Sequence, residues 1–302
     1  MAFENIALDK LLTYISQLKK VDDALLDRMQ AQMQDPACEL DSFFSEPYPE
    51  YGSDGMKIAT LINPTGEQQN FDYRDCREAK ATPLLDRLPA IKSFIEDSGF
   101  HVMGSRMLRL EPGTFLHEHR DFVYLEDVPR YRLHLPLITN ADAHIVSPAL
   151  NVHFKRCYLW KLDPKETIHS ACNFGQTSRY HLMMDCYVEA NLQALIDQQW
   201  LDGDCLFAHT QLIKEIKETL IDRAQALVQA GELKAGEELL LKTFCQYDLS
   251  KFGPTSYVLV FEMYDRLERQ NGFEKAKERK DYWMERLIEV YPERKSQLVA
   301  VL

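Results

Sequence analysis

Apolar residues along this chain follow three different rhythms. In the first stretch Leu8, Leu11, Leu12, Ile15 and Leu18 recur at helical spacing, and "VDDALLDRMQAQMQ" continues the stripe, which predicts helix over residues 1–35 until Pro36 stops it. Residues 36–55 fill with Pro, Gly, Ser and Asp and read as loop. From 56 to 190 the runs become short and rich in β-branched and aromatic residues: "MKIATLI", "HVMGSRMLRL", "RYRLHLPLI", "KRCYLWKL" and "SRYHLMMDCYV". The turn signals "NPTG", "EPG", "TNAD" and "DPKE" lie between them, and one helix, over 83–99, closes on Gly99. Many short strands so punctuated predict an antiparallel sandwich or barrel.

After Glu189 the helical rhythm returns. Leu212, Ile216, Leu220, Ala224, Leu227 and Val228 form a stripe that ends at Gly231. A second helix runs from Pro254, in a first-turn position, to Gly272, and "DYWMERLIEVYPER" supplies a third. The domains expected are an N-terminal helical segment (1–50), a β core (51–190) and a C-terminal helical domain (191–302).

Charge narrows the list of partners. The 302 residues carry 47 acidic against 35 basic side chains, a formal charge of −12, which repels phosphate backbones and acidic lipid. Neither nucleic acid nor membrane is therefore expected as a partner, and apolar runs such as "YVLVF" are too short to span a bilayer. The N-terminal stretch, with Glu4 and Asp9 and no long apolar core, does not read as a secretory signal. Seven cysteines without a C-x-x-C pair read as reduced thiols in a cytoplasm.

Candidate chemistry sits in "FLHEHRDFVY", residues 115–124, where His117, His119 and Asp121 occupy every second position. In an extended chain these project to one face. Further on, "DPKETIHSACNFGQTSRYHLMMD" puts His169 after a turn and Arg179 inside an apolar run. Two histidines and a carboxylate on facing strands make a facial triad, a ligand set suited to Fe(II) with open positions for a chelating cosubstrate and dioxygen. An arginine in an apolar strand needs an anion, and a dicarboxylate bound to the metal at one end could supply it at the other through a bidentate fork.

Here the chain resembles the aspartyl/asparaginyl β-hydroxylase-like branch of the iron- and 2-oxoglutarate-dependent dioxygenases. The resemblance covers roughly residues 100–188 and rests on "HRD" at 119–121, "RLHLPL" at 132–137, "LW" at 159–160, "HSACN" at 169–173 and "RYHLMMD" at 179–185. It implies a double-stranded β-helix (a cupin-like jelly roll) as the core. It also implies His119, Asp121 and His169 as the catalytic iron ligands, and Arg179 as the clamp on the distal carboxylate of 2-oxoglutarate. Arg132 and His134 match an R-x-H pair that touches the cosubstrate in the family. The retained Asp121 makes the chain more similar to bacterial members that hydroxylate free amino acids, proline 3-hydroxylase among them.

The implied activity uses Fe(II), 2-oxoglutarate and O2 to hydroxylate an unactivated C–H of a small amino acid, releasing succinate and CO2. In that reading the C-terminal helices close the substrate pocket, and a homodimer is left open. Hydroxylation of an Asp, Asn or other residue within a peptide or protein is the rival activity, and a non-catalytic jelly-roll binding module the rival class. Arg106, Arg109 and His117 are candidates for the substrate. Asp185 is expected to anchor hydrogen bonds, Trp160 to pack in the core, and His181 to be a core histidine bonded to a neighbouring backbone. His101, His144, His153 and His209 are read as structural or exposed.

Overall fold

The computed structural model describes residues 5–48, 52–147, 150–246, 255–270 and 273–290. Before the barrel come α1 (Asn5–Tyr14), β1 (Ile15–Lys20), α2 (Asp23–Gln34), β2 (Met56–Asn63), β3 (Lys80–Ala81), α3 (Pro83–Asp86) and α4 (Pro89–Ser98). Eight barrel strands follow: β4 (His101–Leu110), β5 (Thr114–Phe115), β6 (Arg130–Ile138), β7 (Ala143–Val146), β8 (Asn151–Val152), β9 (Tyr158–Leu162), β10 (Ser170–Asn173) and β11 (Arg179–Tyr187). Then come α5 (Ala190–Ile196), β12 (Leu206–Phe207), α6 (Lys214–Gln229), α7 (Leu233–Leu241), α8 (Thr255–Arg269) and α9 (Ala276–Val290).

The strands form a seven-stranded sheet, β1-β9-β6-β11-β4-β2-β3, and a five-stranded sheet, β12-β8-β7-β10-β5. From β4 to β11 the chain fills β9-β6-β11-β4 of one sheet and β5-β10-β7-β8 of the other. That is the double-stranded β-helix, or jelly roll.

Register explains why the large sheet has two unlike faces. Residues directly opposite share a face, and the pairs Met183↔His134, Asp185↔Arg132, Met183↔Arg106, His181↔Leu108 and His134↔Trp160 put Arg106, Arg132, His134, Trp160, His181 and Asp185 on the barrel interior. Arg179, two before His181, joins them. The other face carries Ala59, Leu61, Met107, Leu133, Leu135, Leu182, Met184 and Cys186, packed in one cluster with Leu26 and Met29 of α2, Leu84 and Leu85 of α3 and Ile91 and Phe94 of α4. The outer face is largely apolar because helices cover it, while the inner face holds the polar groups.

Three boundaries differ from expectation. Residues 15–20 are not helix: β1 pairs with β9 as an edge of the large sheet, so the N-terminal segment belongs to the barrel's own unit. Its Ser16 and Gln17 are buried because Ser16 Oγ bonds Gln199 Oε1 (2.8 Å) and Gln17 Nε2 bonds Asp202 (3.0 Å), a pattern that sequence periodicity reads as an amphipathic helix. The helix over 83–99 is two, broken where Pro89 begins α4, and Gly99 caps the second at φ 63°, in the left-handed region that favours glycine. The barrel unit runs on to Phe207 through α5 and β12 rather than ending at 190.

The second unit comprises Ala208–Leu302 with His117–His119 and Pro148–Asn151. Its core includes Ile221, Ala224, Val228, Leu240, Tyr257, Tyr264, Trp283 and Leu287. Glu237 is buried at its centre and accepts from Tyr264 Oη (2.5 Å), Trp283 Nε1 (2.8 Å) and both Nε and Nη2 of Arg279 (2.9 and 2.8 Å), so its charge is paired and its lone pairs are used. Gly236 allows α7 to approach α6 closely, since a Cβ there would lie 2.8 Å from Ala224 O. Pro254 and Gly272, the expected ends of α8, lie outside the described residues. Among the described residues no helix is long and apolar enough to cross a membrane.

Ile15, fully buried in β1, tests the place of the N-terminal segment. Ile15→Ala should lower the stability of the barrel unit by about 2–4 kcal/mol in chemical denaturation. A separate N-terminal segment would leave the barrel transition where it was.

Candidate active site

Strand pairing brings the ligand-like residues together. β5 and β10 pair antiparallel, with Cys172 opposite Phe115, and the contact continues as Leu116 N donates to Ala171 O (2.8 Å). The chain after β5 therefore runs beside the chain before β10, placing His119 near His169. The Asp121 amide donates to Pro164 O (2.8 Å), which fixes the carboxylate's loop. One ligand atom each from His119, Asp121 and His169 then lies within 4.8 Å of the others, a group of the size a single metal ion needs.

The ring orientations suit that use. His119 Nδ1 lies 2.6 Å from His117 O, and His169 Nδ1 lies 3.1 Å from Thr167 O. A carbonyl oxygen only accepts, so each Nδ1 carries the proton and Nε2 carries the lone pair. His169 Nε2 sits 3.6 Å from Asp121 Oδ2. Carbonyl contacts of this kind fix tautomer and ring plane in metal-ligating histidines.

Behind Asp121 stands Arg132. Its Nη1 pairs with Asp121 Oδ2, its Nε donates to Asp185 Oδ1 (2.8 Å), and its Nη2 approaches Tyr73 Oη (3.1 Å). The Tyr73 hydroxyl in turn bonds Asp185 Oδ2. Burial alone would depress the guanidinium; the carboxylates of Asp121 and Asp185 outweigh it and raise its pKa. Burial raises the Tyr73 phenol, against the opposing effect of Arg106 and Arg132, so it stays protonated and can donate. Phe122, the residue after Asp121, is fully buried and holds φ 63°, a strained conformation for an aromatic residue; Tyr73 and Leu125 pack against its cluster with Met103 and Tyr187.

Further along the interior, Arg179 is 2% exposed, its Nε has no partner, and burial lowers its pKa to about 10. His134 is buried with both ring nitrogens unpartnered, and burial, followed by the charges of Arg132 and Arg179, keeps it neutral. His181 is in the same condition rather than bonded to the backbone.

Residues 58–188 match the sequence profile described as aspartyl/asparaginyl beta-hydroxylase. That segment is similar to the members of this family. Among curated proteins, the chain is 31% identical to an L-proline cis-3-hydroxylase 2 of Streptomyces sp over 146 residues, 46% of this chain and 50% of the relative. It is 26% identical to an L-proline cis-4-hydroxylase of Rhizobium meliloti (strain 1021) over 184 residues, 59% of this chain and 65% of the relative. The chain thus spans between half and just under two thirds of the curated relatives it matches. A solved Pseudomonas putida prolyl-4-hydroxylase superposes at a TM-score of 0.38 and 12% identity, covering 61% of this chain and 98% of that one.

The sequence-predicted residues divide. His119, Asp121 and His169 come together, and Arg179 and His134 share the interior face beside them. Arg132 lies there too, but its guanidinium is committed to Asp121 and Asp185, so it holds the Asp121 carboxylate in place. Arg106 faces inward, with its guanidinium 3.9 Å from the centre of the Tyr73 ring and Nη2 donating to Phe71 O (2.8 Å). Arg109 is a correction. It sits on the outer face, paired with Asp41 (2.5 Å) and Glu111 (2.9 Å) and lying on the Phe44 ring, so it cannot meet a substrate in the barrel. His117 is outside the ligand group and its ring lies edge-on to Trp283, with centroids 5.3 Å apart. Tyr73 and Phe122 were not singled out from sequence, because a tyrosine in a polar loop and a phenylalanine after an aspartate carry no periodic signal.

Two outcomes test this geometry. His119→Ala, Asp121→Ala or His169→Ala should each abolish tight Fe(II) binding in anaerobic titration, whereas His117→Ala should leave it measurable. Arg132→Met should destabilise the barrel by about 3–5 kcal/mol in urea, since it leaves the buried Asp185 carboxylate uncompensated.

Proposed function

We propose that the chain is an Fe(II)- and 2-oxoglutarate-dependent dioxygenase that hydroxylates an unactivated C–H of a free amino acid or close derivative, proline-like in shape, releasing succinate and CO2. One observation carries this reading. A His-Asp-His ligand group shares the barrel interior with a buried arginine for which no carboxylate partner is found among the described residues. A metal-chelating 2-oxo diacid supplies both missing charges at once. The resemblance to L-proline cis-3- and cis-4-hydroxylases supports a small cyclic amino acid as substrate.

The residues would divide the work as follows. His119, Asp121 and His169 would hold the metal, and their carbonyl and Arg132 contacts keep the three ligand atoms aimed inward. Bound Fe(II) supplies the oxygen activation that couples decarboxylation of the cosubstrate to C–H hydroxylation. Arg179 would pair with the distal carboxylate through its planar fork, which fixes the cosubstrate's length and direction. His134, neutral and unpartnered, would donate to the cosubstrate between those two ends. Arg106 at the barrel mouth would meet the carboxylate of the amino acid. Seven cysteines, with no disulfide among the described residues, favour a reducing compartment, the cytoplasm.

The test is succinate release by the purified protein with Fe(II), ascorbate and 2-oxoglutarate over a panel of free L-amino acids and their peptide-embedded forms, with hydroxylated product identified by NMR. Stimulation by peptides alone would overturn the free-amino-acid reading. Arg179→Ala should weaken 2-oxoglutarate by roughly ten- to a hundredfold, about 1.5–3 kcal/mol, the usual worth of a charge-assisted hydrogen bond. Arg179→Lys should recover only part of this, because an ammonium lacks the fork.

A further inference from the structure

Within the barrel, more polar surface is buried than a metal and one guanidinium clamp account for. His181 is 1% exposed and neither ring nitrogen has a hydrogen-bond partner. Whichever tautomer it adopts, the imidazole offers one N–H donor and one lone pair, and each costs about 1–3 kcal/mol when buried unpaired. Its neighbours fix its place. Phe154 lies parallel to it, 5° between planes and 6.2 Å between centroids, and Trp160 stacks on Phe154 at 4.5 Å and 7°. The His134 ring stands edge-on to it at 5.5 Å. The ring stands on the same inner face of β11 as Arg179, two positions along the strand.

Charge makes the same point. The groups whose fields reach His181 are Arg179, His134 and His153; with burial, which acts most, they push its pKa well down and keep the ring uncharged. A neutral donor beside Arg179 adds a hydrogen bond to an anion without adding a second positive charge. One guanidinium then balances one carboxylate in a dry interior, where an extra unpaired cation would be costly.

We propose that His181 is a second donor to the distal carboxylate of the 2-oxo diacid, working beside Arg179, and that it helps the site demand a diacid rather than a monoacid. This rests on the reading of the site under the previous heading. Arg179 and His181 are two apart on one strand, so their side chains stand side by side on the inner face. The carboxylate has lone pairs enough for both, the guanidinium taking one edge and the imidazole N–H another.

The test uses the full chain loaded with Fe(II) under anaerobic conditions and titrates two ligands. These are 2-oxoglutarate and 2-oxovalerate, which has the same keto-acid head and chain length but no distal carboxylate. His181→Phe should raise the Kd for 2-oxoglutarate roughly ten- to a hundredfold, the range expected for one lost hydrogen bond to a charged group. It should leave Fe(II) and 2-oxovalerate affinities unchanged, and His181→Asn, which restores a neutral donor, should recover part of the loss. If the Phe variant fails to fold, His181→Leu takes its place in the same titrations. Wild-type affinity for 2-oxoglutarate in the apolar variant, or an equal loss for both ligands, would overturn the proposal. Arg179→Ala separates the two levels: if it too leaves 2-oxoglutarate binding intact, the cosubstrate reading itself has failed, and if it alone weakens binding, only the role of His181 falls.

Discussion

A buried guanidinium between two carboxylates organises the barrel interior. Arg132 lies on β6, Asp185 opposite it on β11, and Asp121 in the loop that carries the metal-ligand group. Arg132 and Asp185 are buried, and the paired carboxylates offset the desolvation of the guanidinium. Tyr73 extends the network to the loop before α3, and Arg106 lies across the Tyr73 ring. Strand register, loop placement and ligand direction thus depend on a single set of hydrogen bonds. A buried network of this kind is unforgiving, because removing one member leaves the others worse off than if none were present.

The network also explains what was legible in the sequence. The long strands β4 and β6 were readable to the residue and β11 to within one residue at each end, because one face is mostly apolar and the turn residues around them are distinctive. The candidate ligand group and Arg179 were readable because His, Asp and Arg in apolar runs are costly unless used. The short strands β5, β7, β8, β10 and β12 were harder: two to four residues give no period. β1 was misread as helix because its polar residues are buried against the segment around Gln199 and Asp202, a contact across more than 180 positions. Arg106 and Arg109 could not be told apart from the chain alone, although their odd spacing already put them on opposite faces of a strand.

The helical unit follows another logic. Its helices bury apolar stripes against one another, and at their centre one charged group, Glu237, gathers donors from α8 and α9. That cluster is fully satisfied within the unit, in contrast to the His134 and His181 rings and the Arg179 Nε left without partners inside the barrel. Where polar groups are complete, the structure is finished; where they are incomplete, a ligand is expected.

Alternation along β11 has a consequence for how this protein can change. Arg179, His181, Met183 and Asp185 face inward, while Tyr180, Leu182, Met184 and Cys186 face the helices. Inserting or deleting one residue in the strand would exchange the two sets wholesale, sending two charges and an imidazole into an oily layer and an apolar row into the reaction chamber. The strand can therefore vary by substitution but not by length. Small irregularities are already taken up by bulges, opposite β6 between Tyr180 and His181 and opposite β4 between Asp185 and Cys186, at the two ends of the inward-facing row. Descendants of this chain are free to lengthen its loops and helices, but they inherit the reading frame of one nine-residue strand unchanged.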